Sequence, residues 1–247
     1  MDFTAASRCI KHVVLGEKYK IFIENGLNSL GIVPIWLPDN HDVDPRLSGH
    51  ADLSLLHLGE KRFLAAPYLR SCTDFVEIMA EIGANLAYVE QQGRGYPQEV
   101  GLNVCICGDN VICNPKTADP TVISLLDNLK MIPVKQGYSR CAVCVVNDHA
   151  VITADHGVAE TLCKHNFDVL VISAGHIRLD GFDYGFIGGA SFVLGDGLLA
   201  FTGHLNAHPD AEAIQTFLTK HSVTPVYLSD RPIFDIGGAV LVNNAIC

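Results

Sequence analysis

The sequence predicts an α/β ring: five repeated strand–strand–helix–strand units arranged around one axis as a five-bladed, pseudo-symmetric propeller. Three observations predict it. A pattern of about 40 to 50 residues recurs along the chain, within the range where internal repeats define architecture. Each recurrence opens with two short Val- and Ile-rich runs parted by turn residues, the mark of a hairpin. The two ends of the chain carry complementary halves of one further unit.

From the N-terminal side, residues 12–15 read as a strand, 18–30 as a helix and 32–37 as a strand, with no hairpin partner before them. The first complete unit follows as strands at 52–58 and 62–69, a helix at 73–83 and a strand at 85–90. The second reads 102–107, 110–114, 119–130 and 131–135. Asp119-Pro120 places proline at a first helical position, where its missing N–H costs nothing. The third is the clearest: Cys141 to Asn147, the turn Asp148-His149, Ala150 to Ala154, an amphipathic stretch at 158–166 and the apolar run 168–173. Val158 and Leu162 stand at helical spacing. The fourth reads 190–194, 198–203, 209–222 and 224–229, with His208-Pro209 as a second helix-start signal. Residues 238–242 then form a lone strand, which supplies the hairpin partner missing at the other end. A ring closed in this way has no open sheet edge. The expectation is one domain over residues 1–247. A plain βαβ series, with one strand per helix, would lack the hairpin in each unit.

Composition narrows the function. Of 247 residues, 49% are hydrophobic and 18% charged, which excludes a disordered chain. Lys+Arg total 17 against 27 Asp+Glu, a net charge of −10 with no basic run, which argues against a nucleic-acid partner. No stretch approaches the roughly 20 apolar residues of a membrane span. Residues 1–7 lack the basic start and apolar run of a secretory leader, and the nine cysteines are an odd number. The expectation is a cytoplasmic protein with reduced thiols, acting on a small molecule.

In a radial fold the segments leading into the first strands face a shared centre. Here they read Gly49-His50-Ala51-Asp52, Glu99-Val100-Gly101, Gly137-Tyr138-Ser139-Arg140-Cys141, Phe186-Ile187-Gly188-Gly189 and Asp235-Ile236-Gly237-Gly238. As strand residues, His50 and Asp52 would share a face. Paired glycines suit a tight bend or a close backbone approach. Arg140 beside Cys141 would favour the thiolate.

These segments resemble the pentein fold, and most closely its guanidino-modifying enzymes: arginine deiminases, dimethylarginine hydrolases and amidinotransferases. That family carries His-x-Asp in one blade and Gly-x-x-x-Cys two blades later; His50-Ala-Asp52 matches the first and Gly137 to Cys141 resembles the second. The resemblance implies that Cys141 attacks a guanidinium carbon as thiolate, that a protonated His50 serves the leaving amine and then activates water, and that Asp52 holds the guanidinium by paired hydrogen bonds. It implies no cofactor and a small, cationic guanidino ligand.

The sequence departs from the family's pattern. Where the family has Glu before Gly-Gly, Ile236 stands, with Asp235 one residue earlier, and a one-residue shift turns a strand side chain to the other face. The segment 186–189 has no acid, leaving Asp183 as the nearest second carboxylate. The match also requires a circular permutation. Candidate catalytic residues are therefore Cys141 and His50, and candidate substrate-binding residues Asp52, Arg140, Asp235 and Asp183. A catalytically degenerate binding protein is the alternative, and an interaction protein a third, since penteins include a ribosomal-subunit anti-association factor.

Other signals have plainer readings. Cys105-x-Cys107 and Cys141-x-x-Cys144 do not bring four ligands together, and His204 and His208 precede a helix rather than sharing its face, so no metal site is expected. Asp155-His156 reads as a helix cap. Phosphate loops and Gly-x-Ser-x-Gly elbows are missing from the sequence.

Overall fold

A computed structural model of the chain describes residues 12–195 and 197–242; the expectation about a leader in residues 1–7 lies outside them. β1 (His12–Gly16), α1 (Lys20–Ser29) and β2 (Val33–Leu37) come first. β3 (Leu55–His57), β4 (Arg62–Ala65), α2 (Thr73–Glu81) and β5 (Asn85–Tyr88) form one complete unit. β6 (Cys105–Cys107), β7 (Asn110–Cys113), α3 (Pro120–Leu125) and β8 (Lys130–Pro133) form the next. A short helical turn, α4 (Ser139–Ala142), leads into β9 (Cys144–Asn147), β10 (Ala150–Thr153), α5 (His156–Lys164) and β11 (Asp168–Val171). β12 (Ser191–Gly195), β13 (Leu198–Phe201), α6 (Ala211–Lys220) and β14 (Thr224–Tyr227) precede the lone strand β15 (Val240–Val242).

Each unit makes one three-stranded sheet of the same kind. The first strand pairs antiparallel with the second, and the second parallel with the third across the helix. The fifth sheet is β15-β1-β2, with His12 opposite Val242 and Val14 opposite Val240, so the chain's two ends do complete one unit. Middle strands carry unbroken apolar runs because they are covered on both faces: Ala150 to Thr153 are all buried, as are Phe63 to Ala65. Third strands lie at the rim and are half exposed.

The core is divided among the seams between sheets. Phe63, Phe75 and Met79 pack with Val14 and Val240; Leu64 packs with Val111 and Val122; Ile112 packs with Val151 and Leu162. Ile152 packs with Phe201 and Ile214, and Phe192 and Ala200 pack with Val13 and Ile23, which returns to the first sheet. Five sheets joined by five such seams form a closed ring. Removing one large side chain at a seam, such as Phe63, costs about 3–5 kcal/mol.

Helix caps follow the local chemistry. Asp119 accepts from the Thr121 N–H at 2.8 Å with Pro120 in the first turn, and Asp155 accepts from the Val158 N–H at 3.0 Å. Pro209 does not open a helix: α6 begins at Ala211, after Asp210. α3 is shorter than the expected 119–130, since Leu126 leaves helical geometry. Among the described residues, no helix is long and apolar enough to cross a membrane.

Candidate active site

The segments leading into the first strands are not strand at all. Ala51–Leu53 and Gln98–Val100 are 3-10 turns, Ser139–Ala142 is a single helical turn, and Gly237 and Gly238 both take left-handed backbone, φ 72° and 62°. These segments bond to one another around the axis. The Asp52 N–H donates to the Gly237 carbonyl at 3.2 Å, and the Gly189 N–H to the Cys141 carbonyl at 2.9 Å. The Gly238 N–H donates to the Gly189 carbonyl at 2.7 Å. Strand alternation therefore does not govern which way these residues point.

His50, Asp52 and Cys141 meet through this geometry, their polar side-chain atoms all within 4.8 Å of one another. His50 and Asp52 do so from a 3-10 turn, not from one face of a strand. The Cys141 thiol donates to Asp52 Oδ2 at 2.8 Å and accepts from Asn103 Nδ2 at 3.3 Å. Asn103 Oδ1 in turn accepts from the Arg140 N–H at 2.9 Å, which fixes the turn carrying Cys141. Among the described residues, His50 Nε2 and Asp52 Oδ1 are buried without a hydrogen-bond partner. Leaving two polar atoms unpaired in the interior is costly.

Asp235 joins the three. Asp235 reaches the cavity from the segment before the glycine turn and accepts from the Gly237 N–H and the Phe186 N–H, both at 2.8 Å. Gly189 is required here, because a Cβ on it would stand 2.0 Å from Asp235 Oδ1. A cavity of about 280 Å³ is lined by His50, Cys141 and Asp235 and walled by Tyr138, Phe186 and Tyr184. Asp183 stands at its exposed rim, on the loop between β11 and β12.

Arg140 lies elsewhere. Its guanidinium donates to the Gly188 carbonyl at 3.1 Å and the Ser191 carbonyl at 3.4 Å, and it lines a separate axial cavity of about 100 Å³. Asp52 lines that cavity too and accepts from the thiol. Burial works against the expected thiolate–imidazolium pair. Burial, with the charges of Asp52 and Asp235, raises the Cys141 thiol well above its ordinary range. Burial, helped by the charge of Lys18, pushes His50 down to about 3, so its ring is neutral. Burial raises Asp52 to about 6 and Asp235 to about 7, against the opposing pull of Arg140. Burial thus favours the neutral form of all four groups: thiol, imidazole and the two carboxyl groups.

His50, Asp52 and Cys141 each offer one atom that could ligate a metal ion, the three lying within 4.8 Å of one another.

Sequence reasoning missed Asn103 and Glu99. Glu99 is buried, accepts from the Tyr138 hydroxyl at 2.5 Å and from the Asp44 and Gly95 N–H groups at 2.9 and 3.1 Å, and so sets the aromatic wall. Its place in a lead-in segment was the available signal.

Comparison with known proteins gives a consistent picture of the fold. The profile of a family of unknown function, DUF6873, matches residues 14–240. A sequence search matches no curated protein. Agmatine deiminase from C. jejuni superposes with a TM-score of 0.60 at 10% identity, covering 98% of this chain and 96% of that one. Inosamine-phosphate amidinotransferase from Streptomyces griseus gives 0.57 at 11%, covering 98% and 97%. DDAH from Pseudomonas aeruginosa, a mutant complexed with citrulline, gives 0.56 at 11%, covering 94% and 99%. The ring of five split units is the pentein fold, shared with guanidino-modifying enzymes.

Proposed function

The chain belongs to the DUF6873 family and has the pentein fold, and from that premise we propose that it is a cysteine-dependent enzyme acting on a guanidino or amidino group. The observation that carries the proposal is the convergence of Cys141, His50 and Asp52 within 4.8 Å, with Asp235 lining the same cavity as Cys141 and His50, and Asp52 bonded to the thiol from the axial side. The Asp235 carboxylate offers an acceptor for a guanidinium in that cavity.

The electrostatics suggest an order of events. A guanidinium entering the cavity beside Asp235 offsets the negative charge that, with burial, helps hold the thiol protonated. The Sγ proton passes to the neutral His50 ring, and Sγ attacks the guanidinium carbon to form a C–S bond. The C–N bond to the leaving nitrogen breaks, and that nitrogen takes the proton from His50. A thiouronium remains on Cys141. Water, or an amine acceptor, gives a proton to His50 as it attacks the same carbon; the C–S bond breaks, and His50 returns the proton to Sγ. Water yields a ureido product, and an amine yields group transfer.

The test needs no known substrate. 2-Chloroacetamidine is a cationic amidine with a displaceable chloride, and iodoacetamide is a neutral reagent of similar size. Under the proposal, chloroacetamidine labels Cys141 at neutral pH ahead of the exposed Cys163, read by peptide mass spectrometry, while iodoacetamide reverses that order. Labelling of Cys141 with no preference for the amidine would leave a ligand-binding protein on an enzyme's fold.

A further inference from the structure

The aromatic side chains that face solvent gather in one place. Among the described residues they are Tyr96, Phe182 and Tyr184. Phe182 and Tyr184 line the cavity that holds Cys141. Tyr96 reaches it through a run of rings: its centroid lies 5.9 Å from that of Tyr138, Tyr138 lies 6.2 Å from Phe186, and Phe186 lies 6.5 Å from Tyr184. Three separate segments supply these rings: the loop between β5 and β6, the turn ahead of Cys141, and the loop between β11 and β12. The rings are also held in place. The Tyr138 hydroxyl donates to buried Glu99 at 2.5 Å, and the Phe186 N–H donates to Asp235 at 2.8 Å. Gly137 leaves room for the Tyr96 ring, since a Cβ there would stand 2.5 Å from Tyr96 Cε2. Apolar surface left open to water in this way is stabilised by a ligand that covers it.

The polar chemistry of the cavity sits at its buried end, with Cys141, His50 and Asp235. Beyond them Leu47 and Leu179 complete the aromatic wall, and no Lys or Arg lines the cavity. Its other carboxylate, Asp183, is exposed at the rim, where solvent screens it. A tail bearing a carboxylate would lose its water here and meet no cation. A cationic tail would compete for the ring faces with Arg46, whose guanidinium already lies 3.9 Å over Phe182. An uncharged ring suits the wall better. The planes of Tyr138 and Phe186 differ by 31°, whereas Tyr184 stands at 83° to Phe186, so the wall offers a third ring both a face and an edge. We infer that the group reaching Cys141 is carried on an aromatic body: the substrate is an arylalkyl guanidine or amidine, uncharged beyond its reacting end, with its ring against Tyr138, Phe186 and Tyr184. The inference rests on the guanidino reading above and names its substrate class.

Protection of Cys141 from 2-chloroacetamidine, read by peptide mass spectrometry, measures this. Benzylguanidine and cyclohexylmethylguanidine share one charge and nearly one size and differ in aromaticity, whereas arginine and agmatine carry charged tails. Benzylguanidine should protect at about fivefold lower concentration than cyclohexylmethylguanidine, as expected for pairing between aromatic rings, and arginine and agmatine should protect less than either. Tyr184→Leu, at an exposed side chain, and Phe186→Leu should each narrow the gap between the two ring compounds. Equal protection by benzylguanidine and cyclohexylmethylguanidine, a lead for arginine or agmatine, or an aromatic advantage unchanged in both variants would overturn the inference while leaving the guanidino reading intact. Failure of every guanidine to protect would overturn both.

Discussion

Asp52→Asn separates the reactivity of Cys141 from its usefulness. The wild-type thiol donates to Asp52 Oδ2 at 2.8 Å, and the Asp52 charge is one of the causes that hold it protonated. A carboxylate charge centred about 4 Å from a thiolate, at an effective dielectric of about 20, opposes ionisation by roughly 4 kcal/mol. Asn keeps the shape and an acceptor oxygen but loses that charge. The thiol should therefore ionise more readily, although burial still holds it above its ordinary range. The assay is the rate of iodoacetamide labelling of Cys141 against pH, by peptide mass spectrometry, with exposed Cys163 as reference. The variant's Cys141 should become reactive at lower pH than the wild type's, while its labelling by 2-chloroacetamidine loses the amidine preference. A greater reactivity joined to a poorer recognition of cations is the distinguishing result. An unchanged labelling midpoint would refute the coupling between Asp52 and Cys141.

Two further outcomes follow from the same geometry. Asp235 is raised to about 7 in the folded protein, above its ordinary 3.8, so the folded state holds a proton that the unfolded chain has released. Its contribution to stability is therefore greatest near pH 4 and is lost as pH rises through about 7, by up to roughly 4 kcal/mol. Urea unfolding at about pH 5 and pH 8 should show this decline in wild type and a flatter profile in Asp235→Asn; parallel profiles would contradict it. Gly189→Ala places a methyl 2.0 Å from Asp235 Oδ1, so it should cost about 1–3 kcal/mol in urea unfolding and abolish the amidine preference at Cys141. A variant as stable and as selective as wild type would show that Asp235 is free to move.

The units were legible because each one writes the same grammar. Two short β-branched runs followed by an amphipathic stretch give the hairpin and helix of the unit from Cys144 to Val171, and the split fifth unit follows from the runs at 12–15 and 238–242. The lead-in turns were not legible. A helical turn of three or four residues, such as Ser139–Ala142, is too short to show a period, so residues read as strand took strand directions. That error made Asp235 look misplaced, although it lines the site cavity. The state of the thiol was out of reach for another reason. Arg140 is adjacent to Cys141 in sequence, but Asp52 is its partner in space, and burial outweighs both.

The division of labour between seams and lead-in turns has a consequence for how such a protein can change. Packing is held in five interfaces between neighbouring sheets, whereas Asp52, Glu99, Cys141, Gly189 and Asp235 stand in the five segments that lead into the first strands. The ring resembles a lock barrel with one pin per blade. The pins touch one another, Gly189 against Asp235 and Asp52 against Cys141, so they change in pairs while the barrel itself need not be rebuilt.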